Sequence, residues 1–309
     1  MGFDCTVVEP SEVKRAIAKN RGYISFKSLN DIQLKSEHSV AFVCTPPAYH
    51  IEQTIWALER EMRVFLEKPI GIGLKECRKL LSYDHSKIFV GYTYRWNLQF
   101  IALRQTIETG QIGTPYFANF SMGMHLEDWH PQENYREFFM SKKSLGGGAL
   151  LDESHFIDLA LALFGIPNKI LGTVSKISEL EIDSDDYVNI EMQYNSLIAN
   201  ITMNLFKRPH ESKIEVYGTK GSIICDFTNK VNILTQTLEY AKSNTTIKKF
   251  NYSRNETFNS MLSDFIGFTI SDELTPRVNF LQSLKVMEVV EKVRESNRLE
   301  KWITFSESK

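Results

Sequence analysis

Val64-Phe65-Leu66-Glu67-Lys68-Pro69 joins a short apolar run to a charged pair closed by proline. Three large apolar residues in succession read as a strand buried on both faces, the kind that fills the middle of a parallel sheet. Lys68 then stands at the carboxyl end of that strand, where open α/β sheets bind ligands. Pro69 has a fixed φ and biases Lys68 toward extended geometry, so the ammonium is aimed. The other reading of the pair is a solvated strand end, since surface connections often carry charge.

Working outward, Ser39 to Cys44 is a second near-continuous apolar run, broken by Pro46-Pro47. Residues 48–61 follow with Ile51, Ile55, Trp56 and Leu58 at helical spacing. Strands are also expected over 5–8, 23–26 and 87–90, with helices over 12–19 and 74–81; Pro10-Ser11 is the start signal of the first helix. Strands alternating with helices of this length predict a parallel sheet with crossover helices. The pattern changes after Gly91. A helix over 98–109, a strand over 116–122 and a helix over 150–163 are followed by strand-like runs at 169–177, 186–194, 197–205, 212–218, 222–227 and 231–236. Short polar turns at Tyr194-Asn195-Ser196 and Thr219-Lys220-Gly221 join some of these runs, which predicts an antiparallel sheet. Helices over 256–271 and 278–296 close the chain. The expected class is α/β: a partial doubly wound domain over 1–93, then an α+β domain over 94–309 built on a large, open, mainly antiparallel sheet.

A length of 309 residues suits two domains. The net charge of −2 leaves no electrostatic footprint for nucleic acid or an anionic membrane. No apolar run reaches membrane-spanning length, and Met1-Gly2-Phe3-Asp4 does not open a signal segment. The four cysteines lie far apart without a Cys-x-x-Cys pair, which argues against zinc and against a disulfide framework. Cys5, Cys44 and Cys225 fall in apolar runs and read as core. A reduced, cytoplasmic protein with no bound metal is expected.

Five motifs stand in order along the chain. They are Thr45-Pro46-Pro47-x-x-His50, Glu67-Lys68-Pro69, Gly91-Tyr-Thr-Tyr-Arg95-Trp-Asn97, Gly146-Gly-Gly-Ala-Leu-Leu-Asp152 through His155 to Asp158, and Glu215-Val-Tyr-Gly218-Thr-Lys-Gly221. In this order and at these distances the chain resembles the Gfo/Idh/MocA oxidoreductases, the glucose-fructose oxidoreductase and inositol dehydrogenase family, over nearly its whole length. The resemblance implies a Rossmann domain and an NAD(P)-dependent reaction on a sugar, sugar derivative or polyol. A nicotinamide exchanges hydride with a ring carbon while a base takes the hydroxyl proton. It implies NAD or NADP as cofactor, and pairing as a homodimer or homotetramer through the open sheet.

The resemblance also assigns roles. Lys68 would stabilise a developing alkoxide. His155 would be the general base or acid, and Asp152 would orient it or hold a substrate hydroxyl. The commonest family form separates this aspartate and histidine by four positions; here the spacing is three, which keeps both on one helix face. A subset of the family carries Asp-x-Ser-His in this place, which makes His155 the corresponding residue. Thr45, Pro46, His50, Glu67, Lys68 and Pro69 would line the cofactor crevice. Two readings of Glu9 stand side by side: a strand-end acid on a ribose 2′-hydroxyl, which would favour NAD, and a carboxylate at the start of the first helix. Arg95, Trp129, His130, Tyr135 and Arg136 would face the substrate. The loop Asp128 to Arg136 looks like one in relatives near nonulosonic-acid and surface-polysaccharide genes.

The family's Gly-x-Gly-x-x-Gly loop is expected about 20 residues before the acidic residue. Glu9 has eight residues before it, and Gly71-Ile72-Gly73 lacks the third glycine. On this basis the sequence begins at the second strand of an N-terminally incomplete Rossmann domain. The second functional reading follows from that: a truncated, cofactor-deficient homologue serving as a binding or dimerisation module.

Overall fold

The computed structural model describes residues 4–32, 39–228, 231–239, 242–250, 253–271 and 273–305. The chain falls into two compact units, Met1–Ser39 and Val40–Lys309. In the first, β1 (Thr6–Val8) and β2 (Ile24–Phe26) pair in parallel through α1 (Glu12–Asn20). The start of α1 is doubly capped: Ser11 accepts from the Lys14 amide, and the Glu9 carboxylate accepts from the Ser11 amide at 2.8 Å.

The second unit opens with a three-stranded parallel sheet. It comprises β3 (Val40–Val43), α2 (His50–Leu58), β4 (Arg63–Leu66), α3 (Leu74–Cys77) and β5 (Ile88–Val90), with strand order β3-β4-β5. Central β4 is the quoted apolar run, and Val64, Phe65 and Leu66 are all buried. β1-β2 and β3-β4-β5 are separate sheets. Because β3 is an edge strand, Phe42 and Cys44 are exposed, and Cys5 is exposed too; of the three cysteines expected in the core, only Cys225 is there.

There follow α4 (Leu98–Glu108), β6 (Pro115–Gly123), α5 (Leu126–Trp129), α6 (Ala149–Asp152) and α7 (His155–Phe164). The remaining strands are β7 (Lys169–Ser175), β8 (Tyr187–Gln193), β9 (Ile198–Asn204), β10 (Glu211–Gly218), β11 (Gly221–Asp226), β12 (Val231–Glu239) and β13 (Lys242–Lys249). α8 (Arg254–Ile270), α9 (Phe280–Leu299) and β14 (Ile303–Thr304) end the described chain. Nine strands form one sheet in the order β13-β12-β11-β10-β6-β9-β8-β7-β14, in which only the β6–β9 pair is parallel. Strict alternation in β8 and β10 buries one face. The other face is polar, tied by Asn119 to Glu215 at 3.3 Å, Lys213 to Glu215 at 2.7 Å and Thr202 to Asn189 at 3.1 Å.

Helices pack on the apolar faces. Ser296 and Asn297 of α9 accept from the Gly172 and Val174 amides of β7. Phe265 of α8 meets Phe65 and Phe89 of the parallel sheet edge-on, at 5.3 and 5.4 Å between ring centres. Two strands escape the sequence pattern. β13 is Lys-Ser-Asn-Thr-Thr-Ile-Lys-Lys, an edge strand with no apolar alternation, held by its pairing with β12. β14 is only two residues long. The helix expected over 150–163 is two helices, broken at Glu153-Ser154.

Candidate active site

The ladder of the parallel sheet continues past β4. The Glu67 amide donates to the Val43 carbonyl and the Gly91 amide to the Leu66 carbonyl, each at 2.9 Å. These bonds fix the backbone from which Lys68 departs at the carboxyl edge of the sheet. His50, at the start of α2, joins two strand-end turns. Its Nδ1 lies 2.8 Å from the Pro69 carbonyl and its Nε2 2.7 Å from the Thr45 carbonyl. The Thr45 hydroxyl donates to Gln53 at 2.7 Å, anchoring its turn to α2. The Pro46-Pro47 break leads into a short 3-10 turn, and α2 then begins without a side-chain cap.

The glycine run brings the second half of the site to this edge. Gly146 has φ +86°, and a Cβ there would lie 2.6 Å from Ile72 and 2.8 Å from Pro47. Gly148 has φ +109°, and a Cβ would strike the Asp185 carboxylate at 2.3 Å. Only glycine accepts both the left-handed backbone and the close approach. Asp185 in turn accepts from the Leu150 amide at 2.8 Å. The short α6 so placed delivers Asp152, which takes two hydrogen bonds from the Lys68 ammonium, one on its carbonyl and one on Oδ1, the latter at 3.1 Å.

Burial by itself would lower the pKa of Lys68. The Asp152 and Glu153 carboxyls, the Asp152 hydrogen bond and Glu67 outweigh it, so the pKa is raised and the side chain is a cation at neutral pH. Glu67 is shifted up by burial, against the pull of Lys68 and its amide. His155 is driven well below its ordinary 6.5, first by burial and then by the Lys68 and Arg254 cations. It is therefore a neutral imidazole. Its ring is held edge-on against Tyr94 and Tyr92, at 5.1 and 5.6 Å, and its buried Nδ1 has no hydrogen-bond partner. Tyr94 is anchored by its hydroxyl, 3.1 Å from that of Ser212. A fixed cation and a neutral, unpartnered nitrogen together suit removal of a proton from a hydroxyl whose oxygen becomes negative.

The structure thus gathers Lys68, Asp152 and His155, with Glu67 adjoining. The other sequence candidates engage different partners. Arg95 forms a buried two-point pair with Asp158, at 2.6 and 2.9 Å. Arg136 is exposed and pairs with Glu181, and exposed His130 lies 3.8 Å from Glu133. Tyr135 is buried under the Arg136 guanidinium. Trp129 is partly buried, and its Nε1 is unpartnered. Glu9 sits in the first unit at the head of α1. Sequence reading missed Glu153, whose side chain is buried beside Asp152, and the two tyrosines around His155. A continuous helix turns residue 153 about 100° away from residue 152; the break after α6 leaves it buried in the site instead. The tyrosines lie within the Gly91–Asn97 motif, but nothing in their spacing marks them as flanking a histidine.

Among the described residues no group of three histidine, cysteine or acidic side chains is arranged for a metal ion. A nicotinamide dinucleotide fits the donor set better. The carboxyl ends of three parallel strands, the uncapped start of α2 and the cationic Lys68 converge where such cofactors cross α/β sheets. Thr45, Pro46, Glu67 and Lys68 would line that crossing.

These features define a dinucleotide-binding α/β unit joined to a large open sheet. Two sequence patterns agree: that of the oxidoreductase family, NAD-binding Rossmann fold, matches residues 5–88, and that of the GFO/IDH/MocA C-terminal domain matches residues 100–224. The chain belongs to the Gfo/Idh/MocA family. Inositol 2-dehydrogenase of Rhizobium meliloti (strain 1021) is 25% identical over 217 residues, 67% of this chain and 63% of the relative. 2,7-Anhydro-N-acetylneuraminate hydratase of Mediterraneibacter gnavus is 26% identical over 207 residues, 64% of this chain and 54% of the relative. The matched region thus spans less than two thirds of these relatives' length. Levoglucosan dehydrogenase, solved in complex with NADH and levoglucosan, superposes with a TM-score of 0.85 at 20% identity, over 99% of this chain and 90% of that one.

Proposed function

We propose that the chain is an NAD(P)-dependent oxidoreductase acting on a carbinol of a sugar, sugar derivative or polyol. The observation that carries this is the Lys68–Asp152 pair at the carboxyl edge of the parallel sheet, beside a neutral His155 with a free Nδ1. The nicotinamide, when bound, supplies a hydride acceptor or donor. The chain's own residues manage the proton. Asp152 holds the Lys68 ammonium in place. In oxidation the hydroxyl proton passes to Nδ1 of His155, and the oxygen keeps its electron pair, stabilised by Lys68. Tyr92 and Tyr94 screen the imidazole from water.

The relatives named for inositol, levoglucosan and an anhydro-neuraminate support a cyclic polyhydroxylated substrate. Nonulosonic-acid or surface-polysaccharide metabolism fits the last of these. On this reading residues 1–93 serve the cofactor and 94–309 the substrate, and Trp129, with its unpartnered Nε1, is the best placed of the loop candidates to meet a ligand. Self-association through the polar face of the nine-stranded sheet completes the proposal; light scattering after gel filtration tests it.

NADH fluorescence tests the central claim. A saturable change, followed by reduction of NAD with myo-inositol or levoglucosan, is the expected result. No change up to millimolar NADH would sink the enzyme reading and leave a binding or dimerisation module in its place.

A further inference from the structure

Two buried polar atoms near Lys68 have no hydrogen-bond partner: Nδ1 of His155 and Oε1 of Glu153. Glu153 is 3% exposed. It follows α6 as its C-cap, its amide donating to the Ala149 carbonyl and its carbonyl accepting from the Phe156 amide, and its side chain is buried. Its neighbours in charge are Asp152, Lys68 and Arg254, and its own charge is felt at Tyr94, whose ring packs on His155.

The charges do not balance if both acids ionise. The Lys68 ammonium is already bonded to Asp152, and Arg254 is exposed at the head of α8. A second buried anion with an unbonded oxygen carries a heavy desolvation penalty. A proton on Glu153 removes that penalty and leaves the Asp152 carboxylate to the Lys68 ammonium.

We propose that Glu153 is a further catalytic residue of this site: it holds one proton on Oε1 beside the Lys68–Asp152 ion pair, and that Oε1, together with Nδ1 of His155, receives a hydroxyl of the substrate. A protonated carboxyl donates and a neutral Nδ1 accepts, and a hydroxyl is the group that both accepts and donates. The hydroxyl contact rests on the polyol-oxidoreductase reading; the held proton does not. Burial and the Asp152 charge, opposed by Lys68, push Glu153 up to about 8, in keeping with an acid that is neutral at pH 7.

The sign of the linkage gives a test without substrate. A carboxyl raised in the folded state stabilises fully below its unfolded value of 4.5, and this stabilisation is lost as pH rises through about 8. The melting temperature of Glu153→Gln minus that of the native chain is therefore expected to grow by several degrees between about pH 5 and about pH 9. A difference that does not change with pH overturns the held proton. Isotope-edited infrared spectra of the native chain probe the same proton without a variant: a protonated glutamate carbonyl band present at neutral pH and bleached near pH 8 supports it, and its absence overturns it. With myo-inositol or levoglucosan and NAD, Glu153→Leu is expected to lose about tenfold or more in kcat/KM. NADH affinity should stay native, because Glu153 faces the substrate. Glu153→Gln, which keeps a donor, should remain within a few-fold but lose the alkaline limb near pH 8. Native kcat/KM in Glu153→Leu overturns the hydroxyl contact. If the native chain binds NADH but turns over neither probe, the hydroxyl contact falls with the polyol reading, while the held proton is still decided by the melting and infrared measurements.

Discussion

Lys68–Asp152 and Arg208–Asp128 are both short, well-formed ion pairs, and they do opposite things. Arg208 is exposed and doubly bonded to Asp128 at 2.8 and 2.9 Å, with Glu127 adding a third bond at 2.9 Å. Each charge in that cluster is met by an opposite one. Together with Arg136, these residues line an open cavity of ≈ 410 Å³. Lys68 and Asp152 are largely buried, at 16% and 7% side-chain exposure, and beside them two polar atoms go unmet. An exposed cluster complete in itself gains little from a ligand. A buried one with unpaired atoms is costly until something binds. Size of cavity and wealth of charge point to the loop; incomplete hydrogen bonding points to the strand end.

The largest effect that would break this contrast is on turnover. Lys68→Ala is expected to lower kcat/KM on myo-inositol or levoglucosan about a thousandfold, as removal of a fixed oxyanion stabiliser does. NADH affinity, read by fluorescence, should change far less. Loss of NADH binding with no separate loss in kcat would mean that the lysine serves the cofactor alone. Next comes the frame that brings Asp152 to Lys68. Gly148→Ala forces a side chain onto φ +109° and into Asp185, and is expected to destabilise the fold by about 1–3 kcal/mol with a larger loss in activity. A variant with native melting and native turnover would show that the glycine run is dispensable.

A subtler effect concerns pH. His155 is depressed well below 6.5, so it is neutral across pH 7 and becomes charged only in distinctly acid solution. Activity should therefore be flat through neutrality on the acid side, with its acid limb well below pH 6.5. A limb centred at or above 6.5 would mean that His155 titrates as if in water and is not the buried base described here.

What the sequence revealed, and what it hid, follows the same division. Val64 to Leu66 was legible because a central parallel strand must be apolar throughout, and Lys68 because its place after that strand is set by chain order alone. The nine-stranded sheet was legible wherever one face alternates, and failed at polar β13, which pairing rather than pattern holds in place. Glu153 was hidden by a break of two residues in a segment whose apolar spacing runs on without interruption; the turn at 153–154 depends on the glycine run and on Asp185, far along the chain. The loop residues His130, Tyr135 and Arg136 stand out in the sequence by composition. Composition does not say that Arg136 would find Glu181, 45 positions away.

The smallest expected effect separates composition from site most cleanly. Arg136→Ala removes an exposed guanidinium that is bonded to Glu181 and stacked 4.6 Å from the Tyr135 ring. Solvent screens both contacts, and Glu181 is left in water, not in the interior. Melting temperature and NADH affinity should match the native chain, and kcat/KM should stay within about twofold. Adding salt should not change the comparison, because the pair contributes little to be screened. A loss of tenfold or more in kcat/KM, appearing in KM and spared in kcat, would place the loop over the substrate and restore Arg136 as a substrate-facing group. The contrast between the two ion-paired clusters would then be one of distance from the reacting carbon, and no longer of complete against incomplete bonding.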